Sequence, residues 1–258
     1  MDVIHHIAKL RARLDREAAV VLVPTMGGLH AGHIALVENA RRRGGCVVAT
    51  IFVNRLQFAP GGDFDRYPRT LERDAEMLMK AGCDVVFAPA EREMYPQPQQ
   101  VHVTPPEVAQ HLEGNFRPGH FQGVCTVVAK LFNIVDPAVA VFGKKDYQQL
   151  AVIRAMERQL DFGIEIVGVE TVREADGLAM SSRNGYLDLE ERDEAVRLSR
   201  NLKHIRREVE GGSTDYSRLC EVAALSSSLW HDRTYVTGAG FSGNGVGVKG
   251  GGWLSDRP

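Results

Sequence analysis

The stretch Val20-Val21-Leu22-Val23-Pro24-Thr25-Met26-Gly27-Gly28-Leu29-His30-Ala31-Gly32-His33 decides the fold of this chain. Its aliphatic start has the composition of a buried strand, its glycine pair that of a turn, and a helix-favouring run follows His30. In an open parallel sheet, ligands sit at the carboxyl ends of strands, where a helix N-terminus offers free N–H groups and the positive end of its dipole. Glycines let the backbone approach a flat base or a phosphate closely. His30 and His33 project from one side of the first helical turn, so two imidazoles can face one phosphate chain.

Outward from this stretch the same alternation continues. Residues 20–23, 46–53, 85–88, 139–142 and 164–169 have the β-branched, apolar character of buried strands, and stretches 33–43, 69–81, 124–134 and 146–160 are helix-like. That rhythm predicts an α/β fold, a Rossmann-like doubly wound parallel sheet, over residues 1–174. From Asp188 the text becomes charged and helix-favouring, and Thr214 is the expected N-cap of a second helix running to residue 225. A smaller, incomplete C-terminal domain, helical or α+β, is therefore expected over 175–225. Residues 226–258 form an atypical tail, serine-rich and then crowded with glycine, expected to be disordered.

The chain has 258 residues, 44% of them hydrophobic and 25% charged, enough for a sizeable core. A net charge of −2 provides no chain-wide positive field to draw it onto nucleic acid or anionic lipid. Small-molecule partners are expected, with no nucleic acid and no membrane. The arginines Arg41, Arg42 and Arg43 fall where a helix should end, and cations there complement the helix dipole. The N-terminus lacks a basic segment followed by an apolar stretch, and no apolar run approaches the ~20 residues of a spanning helix, which predicts a soluble cytoplasmic protein. Cys46, Cys83, Cys125 and Cys220 show no C-x-x-C spacing, so neither a zinc knuckle nor a disulfide framework is suggested. The first three have the character of reduced apolar filler.

Two further segments carry chemistry. Gly143-Lys144-Lys145-Asp146 ends a predicted strand and starts a helix containing Gln148 and Gln149. A lysine there can neutralise charge growing on a phosphoryl group, and Asp146 suits a ribose hydroxyl or a helix cap. Asp176-Gly177-Leu178-Ala179-Met180-Ser181-Ser182-Arg183-Asn184 is a polar loop whose hydroxyls and arginine suit a triphosphate and its leaving pyrophosphate. The His-x-Gly-His turn and the Met-Ser-Ser-Arg loop together resemble the HIGH and KMSKS-type elements of nucleotidylyl-transferring Rossmann enzymes. On the acceptor side, amides such as Gln57 and Gln149 can bind the oxygens of a small polar acid without a charge to desolvate.

Six motifs, in order, resemble the pantothenate synthetase family: Pro-Thr-Met-Gly-x-Leu-His-x-Gly-His, Phe-Val-Asn-x-x-Gln-Phe, Tyr-Pro-Arg-Thr, Arg-Pro-Gly-His-Phe, Phe-Gly-x-Lys-Asp-Tyr-Gln-Gln-Leu and Asp-Gly-Leu-Ala-Met-Ser-Ser-Arg-Asn. The resemblance implies that pantoate attacks the α-phosphate of ATP to give pantoyl adenylate and pyrophosphate, and that β-alanine then displaces AMP, with Mg2+ accompanying the ATP. It implies an ATP site of Met26, Gly27, Gly28, Leu29, His30, Ala31, Gly32, His33, Gly143, Lys144, Lys145, Asp146, Val172, Met180, Ser181, Ser182 and Arg183. His33 would be the catalytic histidine, with His30 and Lys145 stabilising pentavalent phosphorus. Gln57 would contact pantoate and β-alanine, Gln149 would contact pantoate, and the protein would be a homodimer. The resemblance is expected to stop near residue 225. Arg55 stands where the family has proline, a change expected to loosen the turn that aims Gln57. Two rivals remain on the residues alone: another nucleotidylyltransferase of this superfold, and an ATP-binding homologue impaired by its aberrant C-terminus.

Overall fold

Strands β1 (Asp2–Ile4), β2 (Val20–Thr25), β3 (Cys46–Ile51), β4 (Val85–Phe87), β5 (Val139–Gly143) and β6 (Glu165–Val169) pair in the order β1-β4-β3-β2-β5-β6. All five pairings are parallel. The structure is a computed structural model that describes residues 1–59 and 62–226. The glycine-rich tail that the sequence led us to expect as disordered lies outside those residues.

Central strands of such a sheet are buried on both faces, so they are apolar throughout rather than alternating. Val20, Leu22, Cys46, Val48, Val85, Phe87, Ala140 and Phe142 point to one face, and Val21, Val23, Val47, Ala49, Val86 and Val141 to the other. Helices α1 (Ile7–Leu14), α6 (His120–Val135) and α7 (Tyr147–Gln159) cover the first face. Helices α2 (Ala31–Arg42) and α3 (Leu71–Lys80) cover the second. Short helices α4 (Glu91–Met94) and α5 (Glu113–Phe116) lie in the connections. This is the doubly wound, Rossmann-like architecture the alternation predicted. The chain runs from β2 outward through β3 to β4, then crosses back to β5 on the other side of β2. The crevice at the carboxyl ends of β2 and β5 is thus the switch point, where ligands bind in folds of this kind.

All the expected strands are present, with boundaries shifted by one or two residues. Four of the named elements were not read from the sequence: β1, a three-residue edge strand too short to show a period, and helices α1, α4 and α5. Helix α6 begins at His120, four residues before the expected start. It buries 13 of its 16 residues, so its sequence is apolar on nearly every side. Helix α2 ends at Arg42, with Arg41 and Arg42 in its last turn, and Arg41 and Arg43 pair with Asp84 and Glu165. Cys46, Cys83 and Cys125 are free and buried.

The chain divides into two compact units, residues 1–173 with 179–185, and residues 174–178 with 186 onward. The described part of the second unit contains α8 (Leu189–Glu210) and α9 (Tyr216–Ser226). A reciprocal capping box starts α8: Glu191 N–H donates to Asp188 Oδ1 at 2.8 Å, and Asp188 N–H donates to Glu191 Oε2 at 3.0 Å. Thr214 is not the cap of α9. Arg218 N–H, on the third residue of that helix, donates instead to Asp215 Oδ1 at 3.0 Å.

Candidate active site

The turn after β2 holds two successive glycines with left-handed backbone, Gly27 at φ 86° and Gly28 at φ 62°. A Cβ on Gly28 would lie 3.3 Å from both Pro68 and Ser182. The turn is braced from beneath by Asp74 of α3, which is fully buried. Its carboxylate accepts from Gly28 N–H and Leu29 N–H, each at 2.9 Å, and from Thr70 Oγ1 at 3.1 Å. Asp74 was not singled out from the sequence, because within Leu71-Glu72-Arg73-Asp74 it looks like one more surface charge.

His30 caps α2. Its Nδ1 accepts from Gly32 N–H at 3.1 Å, while His33 Nδ1 accepts from His30 N–H at 3.3 Å. With both Nδ1 atoms accepting, the proton of each neutral ring must sit on Nε2, a tautomer assigned from its partners. The rings lie 4.1 Å apart between centroids. Burial, then the charge of Lys145, lowers His30 to about 4. Burial, then His30 and Lys145, lowers His33 to about 3. Both imidazoles are therefore neutral N–H donors at physiological pH.

These shifts have a consequence for stability. In the unfolded chain both rings would titrate near 6.5, so between about pH 6.5 and pH 4 the unfolded state binds protons that the native state refuses. Stability should fall as pH drops through that window, and the two rings add no slope above it. The urea midpoint of His33→Asn is expected to fall less steeply from pH 6.5 to 4 than that of the unsubstituted protein. Equal slopes would mean that His33 is charged in the folded state.

After β5, Lys144, Lys145 and Asp146 form one 3-10 turn that leads into α7. The two lysines diverge. Lys144 pairs with Glu170, whereas Lys145 pairs with Asp146 at 3.3 Å and its charge is felt by both histidines. Asp146 occupies the N-cap position, but its side chain makes no cap hydrogen bond.

The loop 179–185 belongs to the same unit as the glycine turn. Met180 N–H donates to Val172 O at 3.0 Å, and Ser182 Oγ lies 3.3 Å from Tyr67 OH. Arg183 Nε donates to Asp63 Oδ2 at 2.8 Å. Burial alone would raise the Asp63 carboxyl, but the hydrogen bond and charge of Arg183 outweigh it and hold the group below its ordinary value. Asp63 is a second residue that the sequence reading passed over.

On the acceptor side, Gln57 is 9% exposed in a 3-10 turn, Arg55–Gln57. Its main-chain oxygen accepts from His120 Nδ1 at 2.9 Å and from Arg117 at 3.2 Å. Its Nε2 lies 3.1 Å from Met26 Sδ, which ties it to the glycine turn. Arg55 pairs with Glu91 at 3.0 Å, both side chains largely exposed, and lies 3.9 Å over the Phe64 ring. Gln148 is consumed by main chain, donating to Val108 O at 2.8 Å and His111 O at 2.6 Å and accepting from Glu113 N–H at 3.1 Å. Gln149 stands half-buried in the first turn of α7. A cavity of about 450 Å3 borders the glycine turn, lined by Gly27, Arg55, Phe64 and Arg69 among others. Neither histidine nor Lys145 reaches its wall, so the phosphate chemistry is not placed there.

With this geometry in place, the family model described as Pantoate-beta-alanine ligase matches residues 2–237. This chain belongs to the pantoate–β-alanine ligase family. The match runs past residue 225, where the resemblance was expected to end. A pantothenate synthetase of Nitrosospira multiformis is 57% identical over 233 residues, covering 90% of this chain and 84% of the relative. That of Leptothrix cholodnii is 59% identical over 240 residues, covering 89% and 84%. Among solved structures, pantothenate synthetase from Thermus thermophilus superposes with a TM-score of 0.84 at 52% identity, covering 88% of this chain and 83% of that one. The pantoate-β-alanine ligase of Francisella tularensis, complexed with beta-gamma ATP and β-alanine, gives 0.77 at 32% identity, covering 88% and 86%. Among the described residues, no helix is long and apolar enough to cross a membrane.

Proposed function

We propose that this chain condenses pantoate with β-alanine at the expense of ATP, through a pantoyl adenylate. A pantoate carboxylate oxygen attacks the α-phosphorus and the bond to pyrophosphate breaks. The β-alanine amine then attacks the acyl carbon, AMP leaves with the oxygen that joined them, and the amine gives up a proton. The site of Met26 to His33, Gly143 to Asp146, Val172 and Met180 to Arg183 holds ATP. Gln57 contacts pantoate and β-alanine, and Gln149 contacts pantoate.

The paired neutral imidazoles at the start of α2 are the observation that carries this reading. Each carries its proton on Nε2 at the N-terminal end of α2, and Lys145 adds a positive charge nearby. His33 and His30 act as donors to the phosphoryl oxygens rather than as bases, because their Nδ1 atoms are already occupied. Such fixed donors need no reorganisation as the pentavalent phosphorus forms. Arg183 receives the departing pyrophosphate once it leaves Asp63. Among the described residues, no group of three or more His, Cys, Asp or Glu could hold a metal alone. The family resemblance has Mg2+ accompany the ATP, whose phosphate oxygens would hold it. Family likeness supports a homodimer and a cytoplasmic setting.

The test is AMP release by the full chain from ATP and Mg2+ with pantoate, with and without β-alanine. Sustained AMP release requiring both acids is expected. ATP binding with no AMP formed would favour an impaired homologue, and release with a phosphorylated alcohol in place of pantoate would favour another nucleotidylyltransferase.

A further inference from the structure

Gln57 is an amide, and an amide has two unlike ends; which end meets the substrate decides what the substrate must offer. Three hydrogen bonds settle that orientation without reference to any ligand. Asn54, 1% exposed, places Nδ2 at 3.1 Å from Gly123 O, and a main-chain carbonyl can only accept. The NH2 end of Asn54 therefore faces α6. The 3-10 turn itself lies tight against α6 at Gly123, where a Cβ would be 2.3 Å from Leu56 O. The opposite end, Oδ1, accepts from Tyr95 OH at 2.8 Å. The second Nδ2 hydrogen reaches Gln57 Oε1 at 3.1 Å, which must be the oxygen, since two NH2 groups would repel. Gln57 is left to present Nε2, whose partner here is the weak sulfur acceptor of Met26.

We infer that Tyr95 is a positioning residue that acts through Asn54 to hold the Gln57 amide NH2 toward the substrate, so that the site selects an acid whose oxygens accept there. The inference rests on the reading of Gln57 as the pantoate contact. Tyr95 is suited to the task. Burial first, and then Glu91, push its phenol well above the usual value, so it remains a donor across the working pH range. With Asn54 and Gln57 both buried, water has little room to replace a lost partner. Without the Tyr95 hydroxyl, Asn54 Oδ1 loses its donor, and the Asn54 amide can turn and release Gln57 Oε1.

The substitution Tyr95→Phe removes only the hydroxyl. The ring keeps its packing against Phe52, 5.9 Å between centroids, and Lys130 stays 5.0 Å above it. In the full chain, Tyr95→Phe is expected to raise the KM for pantoate roughly 10-fold while leaving the KM for ATP within about 2-fold. In a Gln57→Ala background the same change should add nothing, since the residue it positions is gone. Equal changes in both KM values, or the same pantoate effect in both backgrounds, would make Tyr95 a general structural residue and overturn the inference. A ligand-free readout keeps the test independent of the ligase reading. The side-chain NH2 resonances of Asn54 and Gln57 in nitrogen-15-labelled protein should both shift and exchange faster with water in Tyr95→Phe. Resonances that stay in place would overturn the relay even if the protein proved inactive on pantoate, whereas an unsubstituted protein that ignores pantoate would refute only the ligase assignment.

Discussion

Lys145→Ala is expected to lower turnover by about 100- to 1000-fold while changing the KM for ATP by only about 3-fold. The side chain is 23% exposed and paired at 3.3 Å with Asp146, so its charge is partly withdrawn from water before ATP arrives. In the proposed reading, ground-state ATP already meets the two Nε2–H donors, the N–H groups of the glycine turn being held by Thr25 and Asp74. What Lys145 adds is full charge, needed most when the non-bridging oxygens gain negative charge at the transition state. A second effect should accompany the first. Because Lys145 helps to lower both imidazoles, the substitution should move His30 and His33 back toward their ordinary value, measurable by NMR titration. An unchanged rate of adenylate formation would remove Lys145 from the chemistry.

Asp74→Ala is expected to cost roughly 3 kcal/mol of folding stability and to weaken ATP binding about 10-fold. The carboxylate is fully buried and serves two main-chain N–H groups and one hydroxyl. Alanine would leave those N–H groups without a partner, and Leu29, 2% exposed, has no water to turn to. The same loss frees the turn built on the two left-handed glycines, which the proposed reading places against ATP. Urea unfolding and ATP titration measure the two effects separately. An unaltered midpoint would show that the brace contributes nothing; an altered midpoint with unaltered ATP affinity would limit Asp74 to folding.

Both predictions depend on groups that differ in how legible they were. Lys145 stands at the end of a strand-like run in a motif of charged and glycine residues, so strand and motif together pointed to it. Asp74 had no such signal: a charged residue in an amphipathic helix has the periodicity of a solvated face, and only the packing of α3 beneath the glycine turn buries it. Tyr95 and Asp63 escaped for the same reason, since their partners lie 41 and 120 positions away. Arg55 shows the same limit: its partners Glu91 and Phe64 lie 36 and 9 positions along the chain.

Local chemistry was enough to specify the alternation of strands and helices, the glycine turn at the end of β2, and the residue types of the candidate site. These depend on hydrophobic period, backbone freedom and side-chain donors within a few residues of one another. The strand order β1-β4-β3-β2-β5-β6 was not legible, because strands buried on both faces carry no pattern that names their neighbours. Nor could the linear text tell which lysine is spent on Glu170, which glutamine on the main chain of 108–113, or which nitrogen of each histidine holds its proton. Those outcomes belong to the tertiary structure, because a hydrogen bond or ion pair forms wherever folding brings its two halves within about 3 Å, however far apart they lie in the chain.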